Sequence, residues 1–196
     1  MKGQPTPALL QTPSRRFSLL ALLRRQEAAQ LVEFAFMLPL LVILVIGGVD
    51  FGQAYRLKQR LTNAAREGAR IAIGQSQADL AQAIPSTVQA VRNSVVNYLA
   101  SENMNTSFIA ATPTKTGPRE WTYSSTATGL PVLVIDRGAV VPVTVGGVTT
   151  LAVSTRITLR YPHTWTLRQA LQLFSTSTTV PASFQISTSV VMKNLT

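Results

Sequence analysis

The chain has no cysteine, a single histidine and only eight acids among its 196 residues. Without cysteine there is no disulfide framework and no thiolate metal site. His163 lacks the carboxylate neighbours that a metal cluster would need, because only six acids follow Glu33. It sits in Tyr161-Pro162-His163, a predicted turn, and reads as a surface residue rather than a catalytic group. No G-x-S-x-G, P-loop, H-E-x-x-H or paired-carboxylate spacing occurs. Ser and Thr are abundant, but without a base to activate them they read as strand and turn residues. No catalytic residue, cofactor or metal is expected, and the sequence argues against an enzyme. Aromatics make up 7% of the chain and are not interleaved with basic residues, so a base-stacking platform is missing. Nucleic-acid binding is disfavoured despite a formal charge of +10. Five of the eighteen basic residues lie in the first 25 positions, where membrane topology and lipid headgroups account for them.

What the chain does have is one long apolar run. Leu31 to Val49 is nineteen residues with a single charge, Glu33, and thirteen residues drawn from Leu, Ile, Val and Phe. As a helix it spans ~28 Å, close to the ~30 Å hydrocarbon thickness of a bilayer. Those thirteen side chains favour insertion by about 4 to 8 kcal/mol, against a cost of less than about 3.5 for a carboxylate near the edge. Pro39 and Gly47-Gly48 are tolerated in membrane helices, and Pro39 is expected to kink the first turns. Both flanks are basic, but Arg24-Arg25 stands hard against the span and Asp50 directly follows it. That asymmetry predicts a cytoplasmic N-terminus with residues 50–196 exported. A cleaved secretory signal is the rival reading, with Gly52-Gln53-Ala54 as a small-x-small site and Tyr55 as the new terminus. Against it, the apolar run exceeds a usual signal core, and a helical pattern continues through the cut.

That pattern runs from Asp50 to Ile73. Phe51, Ala54, Leu57, Leu61, Ala64, Ala65, Gly68 and Ala72 recur three or four apart, opposite Gln53, Arg56, Arg60, Asn63, Glu67 and Arg70. The stripe shrinks towards Ala64-Ala65 and Gly68-Ala69, which permits close approach by another element. It packs on its own domain, on neighbouring subunits, or on both. Gly74 and residues 75–77 are predicted to end the helix. A second helix is predicted from Pro85, with Val88, Val91, Val95 and Leu99 at helical spacing. Predicted strands are Ser107–Ala111, Trp121–Tyr123, Val132–Ile135, Ala139–Val145, Thr149–Tyr161 and Ser183–Met192, with Asp136-Arg137-Gly138 as a hairpin turn. A short helix is predicted over Thr166–Phe174. Residues 1–14 read as disordered and Phe17–Leu23 as a short membrane-surface helix. The expected fold is α+β: a long N-terminal helix, transmembrane and then amphipathic, packed on a small antiparallel sheet domain.

Four short motifs stand in order across about 45 residues: Ala29-Gln30-Leu31-Val32-Glu33-Phe34-Ala35, Met37-Leu38-Pro39-Leu40-Leu41, Asp50-Phe51-Gly52 and Asn63-Ala64-Ala65-Arg66-Glu67-Gly68-Ala69-Arg70. Together they resemble the TadE/TadG-like family of the tight-adherence (Flp, type IVc) pilus systems. The resemblance implies a pilin-like fold and a bacterial cytoplasmic-membrane protein whose exported domain reaches a pilus. It further implies a leader of residues 1–28, a membrane and amphipathic helix over 29–75, and an exported domain over 76–196. A prepilin peptidase would cut between Ala28 and Ala29, placing Glu33 fifth. The chain departs from the family here, with Ala28 where glycine is usual. The implied role is a minor pilin or pseudopilin, with other pilin subunits and Tad assembly components as partners. Glu33 would pair with the free amine of residue 29 on a neighbouring subunit; the plain alternative is that it snorkels to the headgroups. Phe51, Leu61, Ala64, Ala65 and Gly68 would pack helices. An alternative from another class is a signal-anchored exported binding domain unrelated to pili.

Overall fold

The computed structural model describes residues 26–172 and 183–194. The expectations for residues 1–14 and Phe17–Leu23, and the last two residues of the predicted Thr166–Phe174 helix, lie outside them. The protein is α+β. Helix α1 spans Gln26–Gly74 and remains helical through Pro39. Helix α2 (Ser86–Ser101) follows, then strands β1 (Thr114–Gly117), β2 (Glu120–Ser124), β3 (Pro131–Val145) and β4 (Val148–Thr164), helix α3 (Thr166–Gln172) and strand β5 (Ser183–Lys193). The chain divides between Val45 and Ile46 into two compact units. The first contains, among the described residues, only the N-terminal part of α1.

In the second unit the five strands form one antiparallel meander in the order β1-β2-β3-β4-β5. Alternation puts Leu133, Ile135, Ile157, Leu159 and Ile186 on one face. Against that face lie Leu61, Ala64, Ala65, Ala69 and Ala72 of α1, and Val88, Val91, Val95 and Leu99 of α2, all in the same core. Small side chains on α1 bring its backbone close. At Gly68 an added Cβ would stand 2.6 Å from Val95 Cγ2 and 3.0 Å from Ile157 Cδ1. Trp121 is fully buried and donates its indole N–H to Ala83 O at 3.1 Å.

Two charged side chains close helix ends. Asp79 Oδ1 accepts the Thr87 hydroxyl at 2.6 Å and Oδ2 accepts the Thr87 N–H at 2.9 Å, capping α2, whose own N-cap is Pro85 and offers no side-chain acceptor. Burial raises the Asp79 pKa, but the hydrogen bonds from Thr87 and Ser86 outweigh it and hold the carboxyl below its ordinary value. Arg137 is buried and donates through Nη2 to Gln75 O at 3.1 Å, placing a cation at the C-terminal end of α1. Burial lowers its pKa, with Asp79 opposing the shift.

Four sequence expectations are corrected. Asp136-Arg137-Gly138 is a β-bulge inside β3, since both flanks pair with β4. The turn chemistry is nevertheless there, as Asp136 Oδ1 accepts the Gly138 N–H at 2.9 Å. The β3–β4 hairpin turns instead at Gly146 and Gly147, with φ of 59° and 81°, the left-handed pair a two-residue turn requires. Tyr161-Pro162-His163 is strand, opposite Phe184, Gln185 and Ile186 of β5. The pairing with β3 ends at Leu159, so Pro162 has an open edge where its missing N–H is tolerated. His163, expected at the surface, is half-buried. Ser107–Ala111 reduces to one bridge, Ile109 to Ser125.

Candidate functional site

Among the described residues, one stretch is long and apolar enough to cross a membrane, and it lies in α1. No residue of its apolar window is buried, which separates it from the core helix of a soluble domain. Phe36 is 80% exposed and Leu44 72%. Glu33 is also exposed and has no hydrogen-bonding partner among the described residues. Ala29 stands one helical turn before it.

The amphipathic stripe is used in two ways within the second unit. Leu61, Ala64, Ala65 and Gly68 are fully buried in the core of their own chain. Phe51 is not: it is 71% exposed, and Tyr55, one turn on, is 59% exposed. These two rings form one wall of an open groove of about 530 Å³ whose opposite wall is Trp165, Phe184 and Ile186, with Lys58 at its margin. Trp165 and Phe184 stack with centroids 4.6 Å apart and planes inclined by 20°. His163 meets both edge-on, at 5.7 and 5.4 Å. Its position beside two rings leaves Nε2 buried and without a hydrogen-bond partner.

Asp50 sets that second wall in place. It is fully buried, and its Oδ2 accepts the Leu167 N–H at 2.6 Å, at the first turn of α3. Oδ1 has no partner. A carboxylate at the start of a helix satisfies an amide that would otherwise be orphaned. One turn earlier, the open Cβ position of Gly47 lies 3.9 Å from Leu167 Cδ2, so α3 approaches α1 closely there. Sequence reasoning used Asp50 for topology and as part of a motif, and missed this capping role. The available signal was an acid at the end of an apolar run together with a Thr166-led helix start far along the chain.

The polar side of α1 carries ion pairs. Arg70 grips Glu67 through two hydrogen bonds of 2.7 and 3.0 Å, and Arg60 meets Glu102 at 3.2 Å. Both arginines remain at the surface, where such pairs contribute little to stability. Among the described residues no cluster of three His, Cys, Asp or Glu is placed to hold a metal ion.

A family model described as TadE-like protein matches residues 28–70. The match spans Glu33, Asp50-Phe51-Gly52 and the Asn63–Arg70 motif, and it is the family those motifs resemble. The chain thus carries a TadE-like segment. No curated protein and no solved structure matches the chain significantly.

Proposed function

We propose that this protein is a minor pilin or pseudopilin-like structural component of a Tad-type pilus, acting in pilus assembly and adhesion. The observation that carries the reading is the TadE-like match over residues 28–70, which begins at the proposed processing position and takes in Leu61, Ala64, Ala65 and Ala69 of the core. In this reading α1 is a single-pass anchor with a cytoplasmic N-terminus, and the sheet domain lies outside the cytoplasm. Processing between Ala28 and Ala29 frees an amine on Ala29. Glu33 receives that amine from a neighbouring subunit, which sets adjacent helices in register. The exposure of Glu33 and its lack of a partner support the assignment, because an ionisable group on a lipid-facing helix needs an opposite charge.

The test separates assembly from anchoring. Glu33→Ala removes a charge from the span, so membrane insertion is retained or improved. Co-purification with other pilus components falls sharply. Glu33→Gln keeps shape and hydrogen bonding but removes the ion, and fails in the same way. If both variants co-purify like the parent, Glu33 does not pair. Mass spectrometry of the purified protein finds Ala29 at the N-terminus; Tyr55 there would establish a secretory signal and remove the anchor.

A further inference from the structure

The geometry points to the aromatic groove as a lipid seat: the end of the sheet domain carrying Trp165 and Phe184 rests in the headgroup layer of the bilayer that α1 crosses. This rests on α1 being a membrane span. If the hydrocarbon ends near Val49, Phe51 stands ~3 Å and Tyr55 ~9 Å farther along the helix. The polar interfacial layer on each side of a bilayer is about 5 to 8 Å deep. Phe51 therefore falls inside that layer and Tyr55 at its outer boundary. Trp165 and Phe184 line the same groove, facing Phe51 and Tyr55 across it.

The chemistry fits that depth. Aromatic rings with one polar edge are the side chains that settle at a membrane–water interface. Here a Trp–Phe stack, an exposed Phe and an exposed Tyr converge on one groove, and none of the other described residues covers Phe51 or Tyr55. Lys58, at the margin, is placed one turn beyond Tyr55, from where its ammonium reaches back to phosphate while its methylenes cover apolar surface. Asp50, the acid nearest the groove on α1, is buried on α3 and presents no exposed charge to repel an anionic headgroup. Any protein partner for this face would have to displace the lipid that surrounds a single span on all sides.

The experiment uses the full chain reconstituted in vesicles of phosphatidylcholine and phosphatidylglycerol. Tryptophan fluorescence is quenched either by acyl chains brominated near the headgroup or by aqueous acrylamide. Trp121 is fully buried and Trp165 is the other indole, so the difference between the parent and Trp165→Phe isolates the groove. The expected result is that the Trp165 component is quenched severalfold more by brominated lipid than by acrylamide, at every protein-to-lipid ratio. Quenching by acrylamide alone, in protein that floats with the vesicles, overturns the seat while leaving the anchor intact. Shielding from both quenchers means that a protein, such as a second copy, fills the groove, and also overturns it. Failure to float with the vesicles overturns the seat and the anchor together.

Discussion

Gly68→Ala adds one methyl group at the tightest point of the core, and two opposing effects decide its sign. In a helix interior alanine is favoured over glycine by about 1 kcal/mol. The added carbon, however, would lie 2.6 Å from Val95 Cγ2 and 3.0 Å from Ile157 Cδ1. Ile157 Cδ1 is the end of a flexible chain and can swing aside. Val95 is β-branched on α2, with a χ1 almost fixed by the helix, so it cannot. Relieving the contact to an ordinary ~3.5–4.0 Å separation means moving α2 away from α1 by roughly 1 Å. Overpacking of this kind costs about 1–3 kcal/mol. The expected net effect runs from near neutral to a loss of about 2 kcal/mol, with roughly 2–4 °C in Tm for each kcal/mol. Gly52→Ala is the control, since nothing lies within 4 Å of its Cβ position, and it should gain up to about 1 kcal/mol. Thermal unfolding of the full chain in detergent, followed by near-ultraviolet circular dichroism, reads both. In a Val95→Ala background the obstructing methyl is gone, so Gly68→Ala should become neutral or stabilising, a coupling of about 2 kcal/mol. If Gly68→Ala stabilises as Gly52→Ala does, or costs the same with and without Val95, the close-packing argument is wrong.

Three further outcomes follow from polar groups of the folded domain. Asp50→Ala leaves the Leu167 amide without its acceptor and should cost about 1 kcal/mol, seen as faster amide exchange confined to the first turn of α3. Asp79 has a folded-state pKa below its ordinary value, so its contribution is present above the unfolded pKa of about 3.9 and is lost as pH falls through the folded value. Denaturant midpoints of the parent should therefore drop on acidification below pH ~4, and Asp79→Asn should flatten that drop. Tyr123 is buried with its hydroxyl unpartnered, and burial pushes its pKa up to about 12. Tyr123→Phe removes an unsatisfied group and should hold or raise stability by about 1 kcal/mol at neutral pH; a loss above that size would mean the hydroxyl has a partner.

Both long helices of the fold were legible because their apolar spacing is set by one dominant contact surface. Val88, Val91, Val95 and Leu99 recur at helical spacing and all four are buried. The alternation in β4 and β5 was legible for the same reason, each strand having one covered face. The misreadings occurred where local chemistry and tertiary pairing disagree. Asp136-Arg137-Gly138 has the residues of a turn and makes the turn-like hydrogen bond, yet β4 pairs on either side and carries the strand through it. The bulge then turns Arg137 inward to the end of α1, a contact 62 residues away in sequence that no local pattern encodes. Strand β1, four residues without a fully buried side chain, offers no hydrophobic signal and forms only because β2 supplies its partners. Of the candidate site, the apolar span and Glu33 were plain from composition. The groove was not, because Phe51 and Phe184 are 133 positions apart and meet only through the fold.

Asp50 ties these pieces together. An acid after an apolar run is ordinarily left to water, where it marks the end of a span. Here it is withdrawn from water and bonded to the start of α3, at a desolvation cost offset by a charge-assisted hydrogen bond of 2.6 Å. The segment it holds begins directly after Trp165, so the same bond that secures α3 also fixes one wall of the aromatic groove. With Asp50 intact, the Trp165–Phe184 stack is presented beside Phe51 and Tyr55. Without it, α3 loses the hydrogen bond that ties its first turn to α1, and the indole gains freedom to leave the stack. Asp50→Ala should therefore raise acrylamide access to Trp165 while leaving Trp121, in the core, as shielded as before. A uniform rise at both indoles would mean that Asp50 supports the domain as a whole rather than this wall of it.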